Sequence, residues 1–252
     1  MDRKFTLEIC ANSIASCIEA ERGGASRVEL CAGIPEGGTS PSIGMVTCAL
    51  ERVSIPIFPI IRPRGGDFLY TKEEIDTMEC DIRMFVDLGV PGVVIGALTA
   101  EGRIDKEVCA RLIEAAQGRQ VTLHRAFDMS RDLDEALEDA IALGFDRILT
   151  SGGAPTAHEG LSTIRHLVDK SAGRISIMPG CGIGVSNIAR IALESGASEF
   201  HGSLRTDIPS QMLYRNPHVS MGGTVTIDEY STTQTDAKIV KEVVRILSTT
   251  SK

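Results

Sequence analysis

The chain has 252 residues, 42% of them apolar, with 25 glycines and a formal net charge of −8. That length suits one α/β domain with its own core, in need of no disulfide or metal to hold it together. Acidic and basic residues are interspersed, so no basic stripe is offered to nucleic acid or to an anionic membrane.

The N-terminal Met1-Asp2-Arg3-Lys4 leads directly into strand-like sequence, without the apolar stretch of a signal peptide, and no apolar run approaches the roughly 18 residues that cross a bilayer. A cytoplasmic protein is expected, with its seven cysteines as free thiols, since they show no CxxC or other zinc-type spacing. Strands are predicted at Phe5–Cys10, Arg27–Cys31, Ile57–Ile61, Val93–Ala97, Val121–His124, Arg147–Thr150, Ile175–Met178 and Glu199–His201. Helix-period segments follow them at about 13–22, 42–52, 72–88, 105–117, 132–143, 158–171, 186–195 and 236–248. Eight strand–helix units imply parallel pairing through crossovers, and residues 1–252 are expected to form a single (β/α)8 TIM barrel.

Local punctuation supports that count. Gly24, Gly89, Gly144 and Gly196 each end a helix and precede strands two, four, six and eight. Thr71-Lys72-Glu73-Glu74 reads as a capping box, and Ser186 is expected to cap the seventh helix. A doubly wound sheet with a dinucleotide site would carry a Gly-rich turn after strand one, where this chain has Cys10-Ala11-Asn12-Ser13. Two connections are long: Ala32–Pro41, and about Ser203–Thr235 between strand eight and helix eight. The second is expected to be a lid, a decorated barrel end or a subunit contact.

Alternate residues of a barrel strand face the pore and the helices. The helix-facing layer must be apolar, which assigns Leu7, Ile9, Val28 and Leu30 outward and Glu8, Cys10, Glu29 and Cys31 inward. The same parity turns Arg62, His124 with Thr122, and His201 with Glu199 toward the pore, near the end where this fold places function. Glu8 and Glu29 lie on strands about 4.8 Å apart, so one takes a proton or a cation settles between them. Arg62 and Arg64 are the expected source of that cation; a buried structural network is the plainer alternative. His124 is a candidate acid/base group or metal ligand, with Asp128 orienting it or pairing with Arg125. Ser151-Gly152-Gly153 and the loop carrying Gly180 and Gly182 precede helices and are candidates for an anion cradle. Cys10 and Cys31 share an orientation at the ends of adjacent strands, a pairing that suits Cu(I). Carboxylate and imidazole would instead suit a divalent ion between the glutamates and His124 or His201.

Several runs carry a family resemblance: Arg27-Val28-Glu29-Leu30-Cys31, Glu36-Gly37-Gly38-Thr39-Ser40-Pro41-Ser42, Ile61-Arg62-Pro63-Arg64-Gly65-Gly66-Asp67-Phe68, His124-Arg125-Ala126-Phe127-Asp128-Met129 and Leu149-Thr150-Ser151-Gly152. With Glu199-Phe200-His201 and Tyr214-Arg215-Asn216, they resemble the CutC family over essentially the whole chain. The resemblance implies a cytosolic (β/α)8 barrel that tends to oligomerise and is linked with copper handling, with Cys10 and Cys31 at positions proposed to bind Cu(I). Two readings follow. One is a Cu(I)-binding protein of copper homeostasis without turnover. The other is an enzyme acting on a small anionic, possibly phosphorylated, substrate. In it Glu8, Glu29 and His124 are acid/base groups, Arg62 and Arg64 anchors, and the Gly-rich loops with Arg125 and His201 contact the ligand.

Overall fold

The computed structural model of the chain describes residues 5–222 and 227–250. Eight parallel strands alternate with helices, as the punctuation predicts. They are β1 (Thr6–Ala11), α1 (Ile14–Arg22), β2 (Arg27–Leu30), α2 (Ile43–Arg52), β3 (Ile57–Pro59), α3 (Lys72–Asp87), β4 (Gly92–Ile95) and α4 (Lys106–Ala115). β5 (Gln120–Leu123), α5 (Leu133–Leu143), β6 (Arg147–Thr150), α6 (Leu161–Ser171), β7 (Ser176–Pro179), α7 (Ile188–Ser195) and β8 (Glu199–Gly202) continue the series.

The strands hydrogen-bond in two runs, β3-β2-β1-β8 and β4-β5-β6-β7. The Ile61 amide donates to the Val94 carbonyl at 2.8 Å and joins β3 to β4. On the far side β7 packs beside β8, completing the TIM-barrel architecture. The four helix-ending glycines all have positive φ, between 74° and 90°, a conformation that a side chain would strain. Thr71 and Glu74 form the expected reciprocal cap of α3. The cap of α7 differs from expectation: Asn187 occupies the position assigned to Ser186, and its side chain bonds the Gly184 amide instead of the helix.

Strand parity divides the core in two. Leu7, Ile9, Val28, Leu30, Ile57, Val93, Ile95, Val121, Leu123 and Ile148 pack outward against the helices in one large cluster. Phe58, Ile60, Val94 and Cys31, with Cys10, form a second cluster inside the barrel. The pore is therefore filled by side chains up to the layer of the two cysteines, and open space begins above it.

The long connection after β8 contains two strands among its described residues. It forms an antiparallel hairpin of β9 (Arg205–Pro209) and β10 (Ser231–Thr235), which returns the chain to α8 (Ala237–Thr250). Residues 223–226 of that connection lie outside the described residues.

Candidate functional site

Parallel pairing of β1 with β2 and β8 sets Glu8 across from His201 and Cys10 across from Glu29. Glu8 is fully buried. It accepts from Arg27 Nε, and its Oε1 lies 2.7 Å from His201 Nδ1. Burial alone would raise its pKa, but the Arg27 guanidinium and His201 overcome that and hold it at about 2. Burial pushes Glu29 in the opposite direction, well above the usual carboxylate range; His201 pulls it down, while Cys10 and Glu8 add to the rise. His201 would be lowered by burial, yet Glu29, Cys10 and Glu8 raise it well above its ordinary value. The two carboxylates are thus distinct: Glu8 is held toward its ionised form and Glu29 is pushed toward its neutral form, with His201 between them pushed toward its charged form.

This settles where the glutamates' cation comes from. Arg27 and His201 provide it, not Arg62 and Arg64. Arg64 does not line the cavity at the barrel mouth; Glu74 at 2.6 Å and Asp67 at 3.1 Å hold it. Arg62 instead donates to the carbonyls of Glu36, Gly38 and Gly66 at 2.8–2.9 Å and ties the Ala32–Pro41 loop over the barrel end. One layer deeper, the guanidinium groups of Arg27 and Arg147 flank the Phe58 ring at 5.6 and 5.4 Å, and both pair with Glu199. Sequence reading assigned no role to Arg147, although the parity of β6 turns it inward together with Leu149.

The thiols lie above Glu8. Cys10 Sγ is 3.6 Å from Cys31 Sγ. Ligand atoms of Cys10, Glu29 and His201 lie within 4.8 Å of one another, close enough for a single metal ion. The hydrogen bond to Cys31 and burial push the Cys10 thiol far up, so the free protein keeps it protonated. Arg205, from β9, donates to Cys10 Sγ at 3.2 Å and to its carbonyl at 3.0 Å. No strand periodicity reveals that contact, because the hairpin brings it across nearly 200 residues of sequence.

A cavity of about 460 Å3 opens above these groups, lined by the two thiols, Glu29 and His201 below and by Arg62, Phe68, His124, Arg125, Asp128 and Met129 around it. His124 is not part of the group whose ligand atoms could meet at one metal ion. Its Nδ1 accepts the Ala126 amide at 3.2 Å, and its ring lies 5.0 Å from Phe68. Burial, and secondarily the charge of Arg62, lower its pKa to about 3, so the ring is neutral. Asp128 pairs with Arg125 at 2.8 Å and makes no bond to His124.

The expected anion cradle after β6 is filled by the chain itself. Asp128 accepts from the amides of Ser151 and Gly153, the hydroxyls of Thr150 and Ser151, and Arg125. Gly152 N donates to Thr150 Oγ1, and Gly180 N to the Thr150 carbonyl. None of Ser151, Gly152, Gly153, Gly180 and Gly182 lines the cavity. A carboxylate three residues beyond Arg125 already sits where a phosphate was expected. Asp128→Ala should strip the partners from several buried donors and destabilise the fold by about 2–3 kcal/mol in urea unfolding; Asp128→Asn, which keeps an acceptor, should lose less.

The model of the CutC family matches residues 5–206. A CutC family protein of Porphyromonas gingivalis is 57% identical over 241 residues, covering 96% of this chain and 97% of its own length. The human copper homeostasis protein cutC homolog is 48% identical over 237 residues, 94% of this chain and 87% of its own. A solved structure of a CutC protein from Streptococcus agalactiae superimposes with a TM-score of 0.75 at 35% identity, covering 79% of this chain and 98% of that one.

Proposed function

The chain belongs to the CutC family, and on that premise we propose that it is a cytoplasmic copper homeostasis protein whose cargo, Cu(I), is held at the barrel mouth by Cys10, Cys31 and His201. One observation carries this reading above the others: two free thiols 3.6 Å apart, with His201 and Glu29 beside Cys10. Thiolates are the soft donors that Cu(I) prefers, and imidazole is a compatible third. With metal–sulfur bonds of about 2.3 Å, a straight S–metal–S unit would need sulfurs farther apart than these. The pair therefore favours a bent arrangement completed by a further donor.

His201 is oriented for that task. Its Nδ1 faces Glu8 at 2.7 Å, while its Nε2 lies on the Glu29 side, 3.4 Å from Oε2. A carboxylate behind a ligating imidazole is the usual second-shell support of a metal site. Arg205 is the cation that faces the Cys10 thiolate once the metal displaces its proton. The divalent-ion reading is weaker, because two of the donors at the site are thiols, soft ligands that suit Cu(I) better than oxygen-preferring divalent ions.

Binding at these groups must release protons from the thiols and from His201. Cu(I) affinity, measured by chelator competition, should therefore rise steeply between about pH 6 and about pH 8. His201→Gln should weaken it at least about tenfold while retaining the fold. A pH-independent affinity would contradict proton release at these groups, and one untouched by His201→Gln would remove His201 from the ligand set. The reading includes one barrel domain spanning the chain and a homo-oligomer, which size-exclusion chromatography with light scattering tests.

A further inference from the structure

Beneath the thiols the buried charges are matched: Arg27 pairs with Glu8 and Glu199, and Arg147 with Glu199. Arg205 is different. Its Nη2 donates to the Cys10 carbonyl at 3.0 Å and to Cys10 Sγ at 3.2 Å, and it makes no ion pair among the described residues. Its Nε is buried without a hydrogen-bond partner. The fold fixes the base of the hairpin that carries it. Leu204, the residue before it, is buried with a φ of 45°, a left-handed conformation that a side chain disfavours. Asn12 Nδ2 donates to the Thr233 carbonyl at 3.2 Å, and the Thr235 amide donates to Ser16 Oγ at 3.2 Å, so β10 is tied beside the end of β1. A cation without a carboxylate is thereby set against one of the two sulfurs.

We propose that Arg205 is a specificity-determining residue, which makes the two-thiol site prefer a monovalent ion over a divalent one. Two thiolates and a monovalent ion form a centre of charge −1, and a neutral imidazole leaves that charge unchanged. The same three donors around a divalent ion form a neutral centre. A guanidinium within hydrogen-bond reach of one sulfur stabilises the first and has no net charge to meet in the second; the part-buried setting keeps water from screening the difference. The inference rests on the copper reading, since it takes Cys10, Cys31 and His201 as the donors, and it names the residue that sets their preference for ionic charge.

The test measures Cu(I) and Zn(II) affinities by chelator competition in the wild type, Arg205→Gln and Arg205→Lys, counting only the binding that is lost in the Cys10→Ser, Cys31→Ser variant. Both ions accept thiolate sulfur, so their charge is the variable of interest. Arg205→Gln keeps a donor for the Cys10 carbonyl and removes the charge. It should weaken Cu(I) binding at least about tenfold, the scale of one charge-assisted hydrogen bond, and leave Zn(II) binding unchanged or tighter. Arg205→Lys, which restores the charge, should recover most of the preference; a purely structural role would lower both affinities together. Should Arg205→Gln not fold, Arg205→Met, which keeps an apolar stem, carries the same comparison. Unchanged Cu(I) binding, or no recovery in Arg205→Lys, would overturn the proposal and leave the copper reading in place. So would equal losses for the two ions, the result expected if Glu29 joined the divalent ion as a fourth, anionic donor. Cu(I) affinity unaltered in the double-serine variant would overturn the copper reading and this inference with it.

Discussion

Replacing Cys10 and Cys31 together by serine is expected to weaken Cu(I) binding at least about a thousandfold, taking structural metal sites as a guide to the free energy per ligand. A serine hydroxyl keeps the shape of each side chain but offers a hard, protonated oxygen in place of a soft thiolate. The paired control is Cys48→Ser, Cys80→Ser, which removes two exposed thiols on α2 and α3 far from the barrel mouth. Competition with a chromogenic Cu(I) chelator should show the loss in the first variant alone. Equal losses would mean that any free thiol serves; no loss in the first would exclude the strand-end pair.

The second large effect concerns the support beneath the site. Arg27→Met should destabilise the protein by about 3–5 kcal/mol, because it leaves the buried Glu8 carboxylate without its guanidinium. Glu8→Gln in the same chain should recover part of that loss. The pH dependence follows from the direction of the Glu8 shift. Its folded pKa of about 2 lies below the ordinary 4.5, so its contribution is complete above about 4.5 and is lost as pH falls through about 2. The corresponding free energy is about 3 kcal/mol. The gap between wild type and Arg27→Met, measured by urea unfolding, should accordingly be widest near neutrality and shrink in acid. Glu29 and His201 act in the other direction: both are raised on folding, so their contribution is greatest at low pH and declines as pH rises. A gap that stayed constant down to about pH 3 would contradict the assignment of Arg27 as the partner that keeps Glu8 ionised.

Much of the fold was legible because two periodicities act together. Helix-ending glycines marked the entry to alternate strands, and strand parity separated Leu7 and Ile9 from Glu8 and Cys10, as the two core clusters show. Parity fixes which face a residue takes, and it carried the reading as far as the inward set. It does not fix which charge meets which. Glu8 pairs with Arg27, its direct register partner on β2, while Arg62, three residues beyond the end of β3, turns to loop carbonyls. The Gly-rich turns were read as an anion cradle because the free amides are visible in sequence. Their acceptor, Asp128, lies on the preceding turn, and only folding brings it to them. The hairpin that delivers Arg205 to Cys10 was hidden for a similar reason. Its strands are short and polar, without the apolar alternation that marks the barrel strands.

Copper K-edge X-ray absorption on the protein loaded with one equivalent of Cu(I) tests the site most directly. A first shell of two sulfurs and one nitrogen or oxygen, reduced to sulfur alone in His201→Gln, is the result expected of Cys10, Cys31 and His201. A first shell without sulfur, or one unaltered when both cysteines are serine, would contradict it.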